Sequence, residues 1–311
     1  MPEIRIGTAG WSYKDWEGIV YPAQIKREQH PVEYMAQFFD TIEINNSFYG
    51  HIKPEIGKLW CRKARAVNPN FLFTAKLHKS FTHSPIATIE STSAATIRSN
   101  PEDEKLAREG LDALASENML GAVLAQFPIS FKNTNENREY LDSVLARLRH
   151  YPTVVEVRHS SWNNEGTLRY FAGKGVAFCN IDQPVIGKSI APTEHVTAPV
   201  SYVRLHGRNY AEWFNDREPE EGSGTERRDA RYNYLYTADE LRGWKENIQR
   251  IAQKSRTTFV VTNNHFQGKA AVNALQLKHM VTGKAVKVPE ILMKHYWELE
   301  SIAQTPADKL F

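Results

Sequence analysis

Glu43 and Asn45, Glu156 and Arg158, and Arg204 and His206 stand two apart in runs that otherwise alternate with aliphatic residues: Thr41-Ile42-Glu43-Ile44-Asn45, Val154-Val155-Glu156-Val157-Arg158 and Tyr202-Val203-Arg204-Leu205-His206. Extended chain sends side chains to opposite faces at period two, so each pair shares a face. The same parity adds Lys76 and His78, Gln126, Asn180 and Asp182, and one of Asn263 or Asn264. Three carboxylates (Glu43, Glu156, Asp182) then face three permanent cations (Lys76, Arg158, Arg204). Such balance avoids the penalty of unpaired buried charge. It describes either a site that holds a polar ligand in fixed orientation or an ion-pair network closing the end of a sheet.

The spacing assigns roles. Glu156 beside Arg158 is expected to keep a lowered pKa and to serve as a base or an electrostatic anchor. Glu43 has no cation two residues away and is the candidate for a raised pKa. Lys76 is a candidate for Schiff-base chemistry if a neighbouring arginine lowers its pKa, and otherwise for an ion pair with Glu43 on the adjacent strand. Arg158 and Arg204 would hold anions, and His206 would shuttle protons. A different reading takes Glu43, His78, Glu156, Asp182 and His206 as ligands of a divalent metal, since barrels of the endonuclease IV and xylose isomerase kind bind metal with His and carboxylate from strand ends. Lys76, Arg158 and Arg204 on the same faces would repel that cation, and no HExxH spacing is present, so no metal or other cofactor is favoured.

Arg208 follows Gly207, and Asn263-Asn264-His265-Phe266-Gln267-Gly268-Lys269 leads into a helix. Backbone N–H groups at a helix N-terminus attract anions, so Arg208, Asn263, Asn264, Gly268 and Lys269 are candidates for phosphate binding, with a simple turn as the alternative. Trp11, Tyr13, Trp16, Tyr21, Phe48, Tyr49 and Trp162 would rim the site. Trp11, Tyr49 and Trp162 follow strand ends closely and are the expected ligand contacts; packing accounts for most of the others.

The elements that must position these residues alternate along the whole chain. Strands are expected at 4–8, 41–45, 71–77, 121–127, 153–158, 176–182, 201–206 and 258–263. Helical faces at i, i+3, i+4 and i+7 lie between them: Val32, Met35, Ala36 and Phe39; Leu141, Val144, Leu145 and Leu148; Leu241, Trp244, Ile248 and Ile251. Eight such units predict an α/β fold, a single (β/α)8 TIM-type barrel whose chemistry sits at the C-terminal ends of the strands. Residues 183–199 carry three prolines and little periodicity, so the sixth helix is expected to be short or missing. Residues 289–303 read as one more amphipathic helix within a C-terminal extension, 283–311. The connections 10–31, 78–102 and 207–236 are long enough to be functional, and 215–224 looks mobile, a lid or an insertion.

At 311 residues and 41% hydrophobic content the chain can bury a large core, read here as one barrel domain over 1–311. No apolar run approaches the ~20 residues needed to span a bilayer, and the first strand begins at once, so a cytoplasmic location is expected. Cys61 and Cys179 are the two cysteines, far apart, which suggests buried thiols rather than a disulfide or a thiolate zinc site. A formal charge of +3 permits an anionic ligand and falls short of the basic stripe expected for nucleic acid.

In order along the chain stand Gly7-Thr8-Ala9-Gly10-Trp11-Ser12-Tyr13 with Trp16 and Tyr21-Pro22, Glu43-Ile44-Asn45 with Phe48-Tyr49, Lys76, Thr82-His83, and Gln126-Phe127-Pro128. They continue with Glu156-Val157-Arg158-His159 with Trp162, Asp182, Arg204-Leu205-His206-Gly207-Arg208, and Asn263-Asn264 with Gly268, Ala270 and Asn273-Ala274. By this set the sequence resembles the YecE-like family, domain of unknown function 72. The resemblance implies a TIM barrel without an established reaction, and it adds His83 to the ligand-binding candidates. Ala9 replaces a serine common there and Asn233 an aspartate, which speaks against an essential hydroxyl or lid carboxylate at those places. The leading expectation is an enzyme acting by acid/base catalysis on a small polar ligand, anionic, phosphorylated or sugar-like. The alternatives are a nucleic-acid-binding or metal-dependent repair protein, using Lys14, Lys79, Arg208 and Arg217, and a ligand sensor without catalysis. No membrane partner is expected.

Overall fold

Eight parallel strands close into a barrel in the computed structural model, each paired with its sequence neighbours and β1 with β8. The structure describes residues 2–25, 29–84, 94–97, 99–213 and 230–304. The strands are β1 (Glu3–Ala9), β2 (Thr41–Ile44), β3 (Leu72–Lys76), β4 (Leu120–Gln126), β5 (Thr153–Glu156), β6 (Ala177–Asp182), β7 (Val200–Leu205) and β8 (Thr257–Thr262). All but the outermost positions of these runs are buried on both faces, the signature of a parallel sheet with side chains inside and helices outside. Ala122, Leu124, Val154, Cys179, Ile181, Tyr202, Phe259 and Val261 fill the interior. Gly121 is required there: the register of β3 against β4 shifts between Phe73 and Thr74, and a Cβ at Gly121 would stand 2.4 Å from the Phe259 ring.

The helices are α1 (Pro31–Met35), α2 (Pro54–Val67), α3 (Pro101–Ala115), α4 (Asn135–Leu148), α5 (Glu165–Lys174), α6 (Ala238–Ala252), α7 (Lys269–Thr282) and α8 (Glu290–His295). Proline at the first position begins α1, α2 and α3, where its missing N–H has no intrahelical partner to lose. Asn100, Thr134 and Asn164 cap α3, α4 and α5, and Thr237 with Glu240 forms a capping box on α6. The three predicted stripes are buried as expected. No helix among the described residues is long and apolar enough to cross a membrane.

Residues 183–199, all described, form no helix, as expected. Side chains fasten this crossover instead: Asn180 Oδ1 accepts from His195 N (2.7 Å) and Thr193 Oγ1 (2.8 Å), and its Nδ2 donates to His195 O (2.9 Å). That corrects the parity of β6. Cys179 and Ile181 point into the barrel, while Asn180 and Asp182 point out, where the helix-free crossover supplies peptide groups to an amide. The tail also differs from a single helix. α8 is capped by Tyr296, whose non-helical backbone (φ −131°, ψ 77°) precedes a 3-10 turn, Trp297–Ile302, with Leu292 and Leu299 buried beneath. The segment 215–224 and Arg217 lie outside the described residues.

Candidate active site at the barrel mouth

Arg204 is the centre of the barrel's upper layer. β7 sends Tyr202, Arg204 and His206 inward, β2 sends Glu43 and β5 sends Glu156, and all five are buried. The guanidinium lies between the two carboxylates, with Nη2 2.7 Å from Glu43 Oε1 and Nη1 2.6 Å from Glu156 Oε2. Tyr202 OH donates to Glu43 Oε2 (2.9 Å) and accepts from Thr74 Oγ1 (2.7 Å). Both oxygens of Glu43 are thus engaged, and the cation that its own strand does not supply comes from β7 as Arg204. Glu156 also accepts side-on from Arg158, whose Nε and Nη2 are each 2.8 Å from Oε1. Burial pushes the Glu156 carboxyl up, but Arg204, Arg158 and His206 outweigh it and hold the group well below the usual carboxylate range.

Above this layer stand the neutral imidazoles. Asn263 Nδ2 donates to His206 Nδ1 (3.0 Å), so Nε2 carries the ring proton, 3.4 Å from Glu156 Oε1. Burial, with Arg158 and Arg204 adding to it against Glu156, pushes His206 down to about 3. His83, beside Thr82 Oγ1 (2.8 Å), is likewise pushed down to about 3 by burial and by Lys76 and Arg158. Trp213 meets the His206 ring edge-on at 6.1 Å and lies 6.0 Å from the Arg158 guanidinium.

Lys76 differs from the arginines. It makes no ion pair among the described residues; its Nζ sits 3.8 Å from the centre of the Phe48 ring. The expected pairing with Glu43 is absent because Arg204 and Tyr202 already occupy that carboxylate. Burial and the Arg204 charge, partly opposed by Glu43 and Glu156, push the amine down to about 7. With Asp182 outside the barrel, two carboxylates face three cations, and Lys76 is the one without an acidic partner.

Several expected residues lie elsewhere. Asp182 receives Arg208 Nε at 3.1 and 3.0 Å on the barrel's outer side, and Arg208 Nη1 also binds Glu240 at 3.0 Å. Burial raises the Asp182 carboxyl against the pull of Arg208. His78 joins His51 and Asp103. The five residues weighed as one metal set are therefore divided among three places, with Arg204 between Glu43 and Glu156. Asn264 donates to Tyr234 O (2.8 Å) and Asn273 Oδ1 (2.8 Å), bracing the base of the 207–236 connection. Gly268 (φ +81°) packs against Val20 and Leu292, Gln267 N donates to the Asp15 carboxylate (2.6 Å), and Lys269 Nζ donates to Asn233 Oδ1. The chain's own groups thus fill the surroundings expected to receive phosphate. Trp162 is fully buried, stacked on Phe131 and donating to its carbonyl (2.8 Å), which makes it packing rather than a ligand contact. Tyr13 stacks on His265 at 4.2 Å. Gln126 points inward and donates to Phe127 O (3.1 Å).

Trp11, Tyr13, Asn45 and Tyr49 do come together. With Trp60 and Lys63 they line a cavity of about 690 Å³ between the connections that follow β1 and β2, adjoining the mouth through Phe48, whose ring meets Tyr49 at 5.1 Å and Lys76 at 3.8 Å. Sequence reasoning missed Tyr202, Thr74 and Trp213. Tyr202 and Thr74 were open to the parity argument, each two residues before a cation on the same strand face. Trp213 lies in a long connection with no period to read.

Comparison with known proteins agrees with this architecture. A family profile described as "Protein of unknown function DUF72" matches residues 5–295. The UPF0759 protein YunF of Bacillus subtilis is 28% identical over 284 residues, which cover 89% of this chain and 94% of that protein. The crystal structure of a DUF72 family protein from Thermotoga maritima superposes with a TM-score of 0.72 at 30% identity, covering 90% of this chain and 99% of that one. One from Enterococcus faecalis reaches the same TM-score at 24% identity, over 90% and 95% of the two chains, and bears on the fold alone.

Proposed function

This chain belongs to the DUF72 family, and we propose that it is an enzyme acting on a small polar compound that carries an anionic group, phosphate or carboxylate, at the mouth of the barrel. The observation that carries the reading is the charge count: Lys76, Arg158 and Arg204 stand over two carboxylates, and among the described residues Lys76 meets the Phe48 ring and no carboxylate. An anion seated against Lys76 and the exposed edge of Arg158 balances that excess and is drawn in by it. Glu156 acts as the fixed anchor that holds both guanidinium groups, leaving them no freedom to lose on binding. Lys76 is the group for the acid/base or covalent step, because among Lys76, Arg158 and Arg204 it is the cation not already committed to a carboxylate of the described residues. Glu43, closed in by Arg204 and Tyr202, supports the layer below rather than meeting substrate.

The test is consumption of compounds from a mixture of phosphorylated sugars and small carboxylic acids, followed by mass spectrometry, with wild type and Lys76→Met. With the matching unphosphorylated sugars added to the mixture, the reading expects an anionic compound to be transformed by wild type and spared by a Lys76→Met variant that keeps its melting temperature. Equal turnover by both proteins would remove Lys76 from the chemistry, and turnover confined to the neutral sugars would remove the anion.

A further inference from the structure

His51, His78 and Asp103 come from three separate pieces of chain: the connection between β2 and α2, the end of β3, and the first turn of α3. Their ligand atoms lie within 4.8 Å of one another. His51 Nε2 is 3.1 Å from Asp103 Oδ1, and His78 Nδ1 is 3.9 Å from the same oxygen. The two imidazoles overlap with centroids 4.2 Å apart at an angle of 33°. Donors around a tetrahedral zinc stand roughly 3.3 Å apart, given Zn–N and Zn–O bonds of about 2.0–2.2 Å. Of the three donor pairs, His51–Asp103 is already near that separation, His78–Asp103 needs to close by a fraction of an ångström, and the two imidazole nitrogens lie within 4.8 Å of each other.

We propose that His51, His78 and Asp103 bind a divalent late first-row metal ion, zinc being the ion that two imidazoles and one carboxylate suit best. The chemistry of the surroundings fits. Asn100 accepts from Asp103 N (2.8 Å) and fixes that residue at the helix start, so its carboxylate is presented from a rigid element. The Ser80 hydroxyl is 2.8 Å from His78 Nδ1, close enough to orient the ring or to neighbour a fourth ligand supplied by water. The three side chains are 13–19% exposed, sheltered yet open to an entering ion. Binding exchanges the His51–Asp103 hydrogen bond and the bond that Ser80 N donates to His78 Nδ1 (3.3 Å) for coordination, and ties two connections of the barrel mouth to the N-terminus of α3. None of the three residues takes part in the ion pairs around Arg204, so this site can fail while the reading of the mouth stands, and the reverse.

The experiment uses the full chain purified without an affinity tag and stripped by a chelator. Zinc is titrated calorimetrically, and cobalt(II) is followed by its visible absorption. The expected result is one equivalent bound, a rise in melting temperature, and a tetrahedral cobalt spectrum. His51→Ala and Asp103→Asn should each weaken zinc binding by about 100-fold or more, while His279→Ala, on a remote surface, leaves it unchanged. His51 lies in a connection rather than a helix, so His51→Ala keeps the test decisive if Asp103→Asn does not fold. Absence of stoichiometric binding, or binding equally tight in His51→Ala, overturns the proposal.

Discussion

Glu156 is fully buried with a guanidinium on each oxygen, so its charge cannot be removed alone. Glu156→Gln strands two arginines, and denaturant unfolding at pH 7 should find it ~3–5 kcal/mol less stable than wild type. A loss below ~1 kcal/mol would mean that water reaches the pair and screens it. The neutral imidazoles set the pH profile. His206 and His83 titrate near 6.5 when unfolded and near 3 when folded, so between those values the unfolded chain binds more protons. Their contribution is complete above pH 6.5 and is lost as the pH falls towards 3. Glu156, whose folded pKa is depressed, adds its own loss below its unfolded value of 4.5. Urea midpoints should therefore fall steadily below pH 6.5, with a shallower fall in His206→Asn; on the alkaline side Lys76, pushed down to about 7 from 10.5, makes stability rise as the pH climbs above 7. An unchanged slope in that variant would contradict a buried neutral His206.

At the scale of elements, Asn180 replaces a helix. Its amide holds residues 183–199 to the outer face of β6 through His195 and Thr193. Asn180→Ala leaves those groups without partners, which should destabilise the protein by ~1–3 kcal/mol. Hydrogen exchange should rise in 183–199 before it rises in β6; uniform exchange across both would mean that the crossover is held by other contacts. The same strand marks where the sequence ceased to be legible. The barrel could be read from eight alternations of period two and period 3.6, and the absent sixth helix from three prolines, because both depend on local pattern. The face of β6 could not. It is buried on both sides, so polarity carries no direction there, and Asn180 and Asp182 read as inward although Arg208 and the crossover satisfy them outside. The Glu43–Arg204–Glu156 assembly was legible as a set of residues, but not as a bridge. That Arg204 lies between two carboxylates on β2 and β5 depends on the width of the closed barrel, which no single strand encodes.

Across the whole molecule, residues 286–303 pack onto the barrel. Leu292 and Leu299 are fully buried, Leu292 lies beneath Gly268, and residues 286 and 303 pair. Truncation before Pro289 should lower the melting temperature by more than ~5 °C, as expected for two lost core leucines; an unchanged melting temperature would make 283–311 an independent appendage. The central claim concerns the mouth, where three cations stand over two carboxylates and Lys76 is uncommitted. The most direct measurement is the binding of inorganic phosphate to wild type and to Lys76→Met, by calorimetry at low ionic strength. One equivalent bound by wild type, weakened at least about tenfold in a Lys76→Met protein of equal or greater thermal stability, is the predicted result, since the substitution removes a half-buried charge without a carboxylate partner among the described residues together with the anion's partner. Equal binding in both proteins, or a Lys76→Met variant that unfolds, would contradict it by showing that Lys76 holds the barrel together rather than a ligand.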